Sequence, residues 1–561
     1  MHFSAALEIF FAVIGGLGIF LLGMKNMSEG LQTIAGNRLR RLVSIVTTNR
    51  FMATGVGCMV TAIVQSSSVT SVMTVGFVNS GLMTLRQAIG VIMGANIGTT
   101  FTGWILVLAV GKYGLPLLGL AALFLLFSKQ ERVQYIAMTL MGVGMVFFGL
   151  ELMSDGFKPL RSMPEFVQWF HMFNADTYAG VLKCALAGCV LTLVVQSSSA
   201  TLGITMGLAS TGVIEFETAA ALVLGENIGT TITAFLASIG TSTNARRVAW
   251  AHVLFNSVGV VYITALFPLY LHIILTLIKV DPNTVIETQG TLQYPFVRAG
   301  IAAVHTGFNV FNTLVFLPLL PVMAKGLERL IPDKPYHETP RLTALKVSSI
   351  VESPMVVIEQ SRLEVLQMGS IVHSLLDDLR GVITPDDPDE ATVRKVFRRE
   401  ETLDTIQREI VEFLTHHLSE QMPTALAAEA HFQMRRADEY ESVSDYITTI
   451  TKLKLRLHKA DLPIPDDMLK DVLDLHDSCC AYFDLVYQAH LDRNTGIMAK
   501  ARPQGEAITH LFRSLRARNL ERIATQGLNP QLVTACADVL NAYRKIKDHL
   551  VNIAETIAGE K

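Results

Sequence analysis

A gapless internal duplication constrains this chain more than any other feature of its sequence. Residues 61–105 align with residues 192–236 at a constant offset of 131, and 18 of the 45 aligned positions are identical. Both copies are apolar, and both carry the run Gln-Ser-Ser-Ser followed by Gly-x-Asn-Ile-Gly-Thr-Thr. A weaker match lies upstream, between residues 16–30 and 142–156. The chain therefore contains two related halves with polar interruptions at matching positions.

Hydropathy divides the chain into two regions. The sequence has 561 residues, of which 50% are hydrophobic and 17% charged. Long apolar runs fill roughly the first 330 residues, and charged residues at helical spacing fill the rest. Because a bilayer core requires about 20 apolar residues per helix, the first region is predicted to span a membrane. We predict a membrane domain over 1–330, a linker over 331–344 and a soluble helical domain over 345–561.

Seven apolar runs are predicted to cross the membrane, and the shortest of them is 115–128. They are 7–24, 86–110, 115–128, 133–152, 218–240, 248–275 and 296–325. Two further apolar stretches, 51–82 and 179–214, are interrupted by the serine runs. A polar break within lipid must be lined by protein or water, so these stretches are predicted to be re-entrant hairpins. The first run has no basic leader and is predicted to be a retained helix.

Basic residues in the short loops predict the orientation. With both hairpins re-entrant, these residues fall on one side, which the positive-inside rule makes cytoplasmic. They are Arg38, Arg40, Arg41, Arg50, Lys129, Arg132, Arg246, Arg247, Lys325, Arg329 and Lys334. Repeat 1 (about 7–110) and repeat 2 (about 133–240) then enter from opposite sides, as in many secondary transporters, with further helices over 248–325. The prediction is an all-α polytopic protein of the bacterial inner membrane, with inverted repeats and a cytoplasmic helical bundle.

The polar runs supply chemistry that suits ions. Unpaired polar groups are expensive in hydrocarbon, so these side chains must meet each other, water or a ligand. Hydroxyl and amide oxygens, with backbone carbonyls freed by a broken helix, suit a hard cation such as sodium. The exposed N–H groups at the start of a half-helix suit an anion. Serine and threonine also join transmembrane helices without any ligand, but duplication of both motifs argues against that simpler role.

Further polar residues fall inside predicted crossings. His252 and Asn256 recur as His305 and Asn309, 53 residues later. These side chains would relay protons, bond to the hairpin backbone or only satisfy each other between packed helices. Glu226 replaces the alanine of the first copy, and an intramembrane carboxylate is a functional candidate. Its alternatives are a sodium ligand, a source of electrogenic asymmetry or a residue at a watery rim.

At the doubled motifs, residues 7–325 closely resemble the type II sodium–phosphate cotransporter family. The resemblance implies sodium-coupled phosphate transport through a site between inverted repeats. On the matching residues we place phosphate at the serine runs, which are Ser66, Ser67, Ser68, Ser197, Ser198 and Ser199. We place sodium at amide and hydroxyl oxygens, which are those of Gln65, Gln196, Asn96, Thr99, Thr100, Asn227, Thr230 and Thr231.

The tail, over about 345–556, resembles the phosphate-regulatory protein PhoU. That family carries Glu/Asp-x-x-x-Asp pairs, which place two carboxylates on one helical face where they can share a divalent metal. Glu400 with Asp404 and Glu441 with Asp445 fit this pattern, whereas Arg544 stands where an acidic partner is expected. Such pairs are also common on solvated helix faces. The tail is further predicted to offer a surface for a homodimer or a regulatory protein.

Other functions find little support in the sequence. The chain has no Walker A lysine motif, hydrolase triad or zinc-binding helix, so it is not predicted to be an enzyme. A net charge of −3 gives no indication of nucleic-acid binding. Two alternatives to phosphate symport stay open. One is a sodium symporter for another small anion such as sulfate, and the other is a membrane phosphate sensor that signals through the tail.

Overall fold

The computed structural model of the chain is built almost entirely of α-helices, as predicted. It describes residues 2–44, 49–79, 83–108, 111–163, 173–239, 241–288, 291–332, 354–418, 424–526 and 528–560. Contacts divide the chain into two compact units, Met1–Pro335 and Tyr336–Lys561. The predicted linker over 331–344 lies outside the described residues except for its first two positions.

The helices of the first unit follow the duplicated plan. In chain order they are α1 (His2–Ser44), α2 (Arg50–Val64), α3 (Ser67–Asn79), α4 (Leu85–Val107), α5 (Gly111–Phe127), α6 (Glu131–Phe157), α7 (Tyr178–Val195), α8 (Ser198–Ser210), α9 (Phe216–Gly229), α10 (Thr231–Ala237), α11 (Thr243–Ala265), α12 (Phe267–Ile278) and α13 (Val297–Leu330). A 3₁₀ turn at Lys158–Ser162 follows α6. Strands β1 (Ile286–Thr288) and β2 (Thr291–Gln293) form a small antiparallel pair, in which Ile286 pairs with Gln293.

Among the described residues, seven helices are long and apolar enough to cross a membrane. They are Leu7–Ala35, Leu85–Val107, Glu131–Leu160, Tyr178–Val195, Phe216–Ala237, Thr243–Ala265 and Val297–Leu330. The predicted crossing at 248–275 is wrong as a single helix, because α11 ends at Ala265 and α12 begins at Phe267. Proline is tolerated in the first turn of a helix but lacks the N–H that a continuous helix needs, so Pro268 favours a new start here.

Helices α1 and α6 pack antiparallel through glycines. A Cβ atom on Gly23 would lie 2.7 Å from the backbone nitrogen of Val146, and one on Gly149 would lie 2.6 Å from that of Phe20. In the weaker upstream alignment, Gly23 is equivalent to Gly149 and Phe20 to Val146. The contact is therefore reciprocal, so the two upstream segments meet as a two-fold pair. Small residues at a helix contact of this kind let two backbones approach closely.

Helix α13 contains two prolines, and one of the carbonyls they release is satisfied from another helix. Pro321 has no backbone N–H, so the carbonyl of Leu317 loses its helical partner. The Arg50 Nη1 atom donates to that oxygen at 3.1 Å. The start of α2 is thus anchored to the interior of α13.

The two units differ in how many large apolar side chains they expose. Exposed large apolar side chains cover the first unit, where Leu126 and Phe127 on α5 are 74% and 78% exposed. In the described part of the second unit, Leu520 alone is of this kind. Extended apolar surfaces mark contact with lipid or protein, and seven of the described helices of this unit are long enough to span a bilayer. The chain is a multi-pass membrane protein with a helical C-terminal region.

The second unit is a helical bundle with its own core. Its helices are α14 (Pro354–Ile383), α15 (Glu390–Leu418), α16 (Thr424–Lys459), α17 (Asp466–Asp492), α18 (Met498–Gln526) and α19 (Pro530–Ala558). Aromatic side chains from three of them, Tyr440, Phe483 and Tyr543, are almost fully buried in one apolar cluster. Apolar residues at helical spacing produce this core, because each helix buries one stripe and exposes its charged face.

Candidate functional site

Each copy of the duplication contains a helix that breaks at its glutamine. Gln65 ends α2 with φ 57° and ψ 24°, and Gln196 ends α7 with φ 54° and ψ 21°. Both residues are in the left-handed region, which costs a residue with a side chain about 1–3 kcal/mol. In each case the glutamine N–H still donates to the carbonyl four residues earlier, at 2.7 Å. The same strained backbone at both equivalent positions indicates a functional constraint.

A serine caps the helix that follows each break. Backbone N–H groups of Val69 and Ala200 donate to Ser66 Oγ and Ser197 Oγ, both at 3.3 Å. The next residues, Ser67 and Ser198, begin α3 and α8. Each serine run therefore sits at a helix N-terminus, where unpaired N–H groups and the helix dipole favour negative charge.

Hydroxyl pairs hold the two arms of each broken helix together behind the tip. Thr61 donates to Thr70 at 2.9 Å, across the break at Gln65. The equivalent residues of the second copy, Thr192 and Thr201, repeat the bond at 3.1 Å. The backbone conformation at the break and the threonine bridge behind it are thus the same in both copies.

The glycines of the second motif are required by helix packing. A Cβ atom on Gly94 would lie 1.9 Å from the Thr54 carbonyl oxygen, and one on Gly225 would lie 1.6 Å from that of Ala185. Both distances are far inside van der Waals contact, so only glycine fits. The motif-bearing helices α4 and α9 consequently lie directly against α2 and α7, beside the breaks.

The threonines of the motif donate their hydroxyl protons to backbone carbonyls earlier in the same segment. Thr99 donates to the Ala95 carbonyl and Thr230 to the Glu226 carbonyl, both at 3.0 Å. Thr100 and Thr231 each donate to the carbonyl three residues earlier, at 2.8 Å. When its proton is engaged in a hydrogen bond, a hydroxyl oxygen can offer its lone pairs to a cation.

The amides and histidines meet inside the first unit. Asn96 Oδ1 lies 3.4 Å from His252 Nε2, and Asn309 Nδ2 donates to Asn227 Oδ1 at 3.2 Å. All four side chains are buried. The structure therefore brings the duplicated asparagines into contact with the downstream His–Asn pairs.

Several buried atoms in this polar interior have no partner. Within the described part of the chain, both carboxylate oxygens of Glu226 are unbonded, as are Oδ1 of Asn256 and Oδ1 of Asn309. Nδ1 of His305 is likewise unbonded. Buried polar groups are normally hydrogen-bonded, so orphaned oxygens call for a proton, a water or a cation. The donor set of amide, hydroxyl and carboxylate oxygens fits sodium.

Elements of the two copies also pack against each other. Helix α3 of the first copy contacts α10 of the second, and α8 of the second contacts α4 of the first. One such contact would place a Cβ on Gly103 only 3.2 Å from Leu202. Each serine-led helix therefore lies beside the segment that carries or follows the other copy's glycine motif.

The two breaks differ in how their glutamines are held. Thr102 donates to the side-chain oxygen of Gln65, which is buried. The equivalent Thr233 donates instead to the carbonyl of Thr230, and Gln196 is exposed. The local sequences are alike, so the difference arises from tertiary packing.

Arg298 is a half-buried cation that the sequence analysis missed. It lies in the first turn of α13 and donates from Nη2 to Ser154 Oγ and Ser210 Oγ, both at 3.2 Å. Its position outside the duplicated motifs hid it. The signal that could have found it is an arginine at the start of an otherwise apolar predicted crossing.

Three of the four predicted metal ligands of the tail lie together. Carboxylates of Glu400, Asp404 and Asp445 each place an oxygen within 4.8 Å of the others, and Glu441 lies outside this group. Burial first, and then the charges of Asp404 and Asp445, raise the pKa of Glu400. The pKa of Glu441 is raised by burial and by the same two aspartates. Such mutual repulsion among carboxylates is what a bound divalent cation would relieve.

The fold and the paired breaks define an α-helical multi-pass membrane protein with two matching broken-helix elements. The family described as Na+/Pi-cotransporter matches residues 19–155 and 165–277, and the PhoU domain matches residues 365–453. The chain belongs to the Na+/Pi-cotransporter family, whose members are transporters rather than enzymes.

Several named proteins are similar to the chain. YjbB of Escherichia coli, named as a candidate inorganic phosphate export protein, is 27% identical over 68% of this chain and 67% of its own length. The uncharacterized protein YqeW of Bacillus subtilis is 30% identical over 56% of this chain and 96% of its own. Human sodium-dependent phosphate transport protein 2B is 36% identical over 17% of this chain and 14% of its own. No solved structure gives a significant match.

Proposed function

We propose that this protein transports inorganic phosphate across the membrane, coupled to sodium. The observation that carries the proposal is the pair of breaks, in which a left-handed glutamine is followed by a serine-capped helix in both copies. Membership of the Na+/Pi-cotransporter family supports it, as do the names of the phosphate-handling relatives.

Phosphate would bind at the two serine tips. Ser66, Ser67 and Ser68, with Ser197, Ser198 and Ser199, offer hydroxyl groups and backbone N–H groups at the positive ends of α3 and α8. A multivalent oxyanion gains from both features, since each helix terminus acts as roughly half a positive charge. Sulfate has a similar shape, so competition experiments would define the preference among small oxyanions.

Sodium would bind at the oxygens beside the tips. These belong to Gln65, Gln196, Asn96, Thr99, Thr100, Asn227, Thr230 and Thr231. Two observations support this assignment. The threonine hydroxyls donate their protons to backbone carbonyls, which leaves their oxygens available, and the side-chain oxygens of Asn256 and Asn309 have no partner among the described residues. Glu226 would supply a negative charge that the first copy lacks. His252 and His305 would position the asparagines beside them.

The two repeats would alternate access to the site from opposite sides of the membrane. The reciprocal contact of α1 with α6 supports an inverted arrangement, because equivalent residues meet antiparallel. Gln65 is buried and bonded to Thr102, whereas Gln196 is exposed. This difference supports two distinct conformational states for the equivalent broken helices. Re-entrant hairpins at 51–82 and 179–214 would place both tips within the bilayer.

The basic loops support an inner-membrane location with the tail in the cytoplasm, where PhoU-like regulation would act.

A divalent cation at Glu400, Asp404 and Asp445, with Glu441 beside them, would tie α15 to α16. Tail peptides of the full-length protein should then exchange hydrogen more slowly with Mg²⁺ or Mn²⁺ than with a chelator. Equal exchange in both conditions would contradict the binding of a divalent cation at these carboxylates.

Flux of labelled phosphate in proteoliposomes tests the proposed function. A sodium gradient should drive accumulation, and an equal potassium gradient should not. Flux indifferent to sodium would contradict the coupling. Phosphate binding without flux or counterflow would favour the alternative of a membrane sensor, and sulfate flux that exceeds phosphate flux would favour a symporter of another anion.

A further inference from the structure

A cluster of three arginines and one histidine lies in the second unit, apart from the carboxylates discussed above. We call it the arginine cluster. Its members come from three helices: Arg362 from α14, Arg436 from α16, and His490 with Arg493 from the end of α17. Arg362, Arg436 and His490 are all less than 8% exposed, whereas the Arg493 side chain is 34% exposed. Buried guanidinium groups are rare unless each is paired, so the pairing decides what the cluster does.

Glu359 neutralises part of this charge. Arg362 donates to its Oε1 from Nε at 3.0 Å and from Nη2 at 2.7 Å. Arg493 donates from Nη2 to both carboxylate oxygens, at 2.8 and 2.6 Å. One buried carboxylate therefore serves two guanidinium groups, so this half of the cluster keeps an excess of positive charge.

Arg436 is held mainly by neutral acceptors. It donates from Nε to Thr556 Oγ1 at 3.2 Å and from Nη2 to the Thr556 carbonyl at 3.1 Å. Its ion pair to half-buried Glu429 is longer, at 3.3 Å. Three guanidinium groups thus face two carboxylates, which leaves one positive charge without a counter-charge among these partners.

Two buried nitrogen atoms of the arginine cluster lack a hydrogen-bond partner in the described part of the chain. Among the described residues, Nη1 of Arg362 and Nε2 of His490 are buried without a hydrogen-bond partner. The other ring nitrogen of His490 lies 3.1 Å from the hydroxyl of Tyr440, and the two rings are stacked. If the phenol O–H donates there, the neutral imidazole carries its proton at Nε2 and that atom is a donor.

The three guanidinium groups also act together on His490. Burial first, and then the charges of Arg436, Arg362 and Arg493, lower the pKa of this histidine well below its usual value. All three cations are therefore near the imidazole, and the ring stays neutral at physiological pH. An anion placed among them would meet fixed donors in an electropositive, water-poor interior.

We propose that the arginine cluster binds a small tetrahedral oxyanion of the phosphate class inside the tail. Planar guanidinium forks suit the oxygens of such an ion, and it would supply both the missing negative charge and acceptors for the unpaired donors. The burial of Arg362 favours a free ion over the phosphoryl group of a larger metabolite. The site is separate from the serine tips and does not rest on the transport function.

Binding at this place would connect the start of the tail to its interior. Glu359 and Arg362 lie in the first turns of α14, the helix that follows the segment joining the two units. The ion would link α14 with α16 and α17. The tail would then respond directly to the phosphate concentration on its own side of the membrane.

Hydrogen exchange of the full-length protein in nanodiscs tests this site. The comparison is inorganic phosphate against chloride, at matched sodium concentration and ionic strength. Peptides that cover residues 357–366 and 486–494 should exchange about tenfold more slowly when phosphate is about ten times its dissociation constant. The same protection should persist in a Ser66→Ala, Ser197→Ala background, which separates this binding from that in the membrane unit. Wild-type peptides that exchange equally in phosphate and chloride would overturn the proposal.

Variants and a second ligand sharpen the result. Arg362→Gln should abolish the protection while Arg493 still pairs with Glu359, and Arg362→Lys, which keeps the charge, should retain part of it. The matched control is Arg394→Gln, which removes an exposed ion pair and should leave the protection unchanged. Protection by AMP as strong as that by phosphate would assign the site to phosphoryl groups of metabolites. Undiminished protection by phosphate in Arg362→Gln would contradict the proposal that the arginine cluster binds the ion.

Discussion

Thr102 donates its hydroxyl proton to the side-chain oxygen of Gln65 at 2.9 Å, and so fixes the first broken helix to the glycine-motif helix α4. The equivalent threonine of the second copy, Thr233, bonds within its own segment. We therefore predict that Thr102→Val weakens phosphate transport about fivefold, the effect of about 1 kcal/mol for one buried hydrogen bond. Initial rates of labelled-phosphate flux measure this.

The matched control is Thr233→Val. In this structure its hydroxyl does not hold a glutamine, so the variant should change the rate by less than twofold. Equal losses in both variants would show that the bond to Gln65 has no special part in transport.

Glycine at position 94 is predicted to be indispensable for stability. The added methyl of Gly94→Ala would meet the Thr54 carbonyl oxygen and force α4 away from α2, at a cost of about 1–3 kcal/mol or more. Gly225→Ala should act in the same way on α9 and α7. Thermal unfolding of the detergent-solubilised protein, followed by size-exclusion fluorescence, checks the loss.

Gly55 provides the control on the same helix, α2, since a Cβ there would meet nothing within 4 Å. Gly55→Ala should leave the unfolding temperature unchanged or raise it, because alanine favours a helix over glycine by up to about 1 kcal/mol. If Gly94→Ala were as stable as Gly55→Ala, the close approach described for α2 and α4 would be wrong.

Glu226→Gln is predicted to change the charge carried in each transport cycle. The carboxylate is fully buried, and the first copy has an alanine in its place. A charge that moves across the membrane field contributes about 2.3 kcal/mol per 100 mV, so its removal should alter the dependence of flux on an imposed potential. Glu215→Gln, at the exposed start of the same helix, should leave that dependence as it is. Identical voltage responses of wild type and Glu226→Gln would exclude the carboxylate from charge coupling.

The contribution of Glu364 to the stability of the tail is predicted to fall as pH rises. Burial, and then the charge of Glu409, raise the pKa of Glu364 to about 7. The folded tail therefore holds a proton that the unfolded chain releases above about pH 4.3, and the associated stability is lost as pH passes through 7. The loss is complete at about pH 8 and amounts to about 4 kcal/mol.

Glu364→Gln should remove most of this pH dependence and make the tail more stable than wild type at about pH 8. Hydrogen exchange of tail peptides in increasing denaturant, at about pH 5 and about pH 8, gives the free energy of unfolding. Glu390→Gln, at an exposed position of α15, is the control and should follow wild type. A Glu364→Gln variant that gains no stability over wild type between about pH 5 and about pH 8 would contradict the predicted sign.

The duplicated local geometry could be anticipated because local sequence determines it. Matching Gln-Ser-Ser-Ser runs gave matching breaks at Gln65 and Gln196, and matching glycine motifs gave matching helix contacts. The start of α12 beside Pro268 was missed because a continuous apolar run concealed a short-range backbone effect. The predicted domain boundaries and the roles of individual site residues stay predictions.

Relationships between distant residues could not be read from the sequence. Thr102 and Thr233 occupy equivalent places in similar segments, yet only one reaches a glutamine, because tertiary packing differs around them. Arg298 meets two serines from other helices, and Arg493 meets Glu359 from far along the chain. Neither pairing leaves a periodic or local pattern, so only the fold reveals them.

The central claim is that the two serine-led breaks bind the phosphate that crosses the membrane. Its most direct test is labelled-phosphate flux in proteoliposomes containing Ser66→Ala plus Ser197→Ala, with Ser242→Ala as a control. Ser242 also caps a helix, α11, by accepting from a backbone N–H, but it lies outside both breaks. The account predicts loss of nearly all sodium-driven flux in the double variant and wild-type flux in the control. Undiminished flux in the double variant would contradict it.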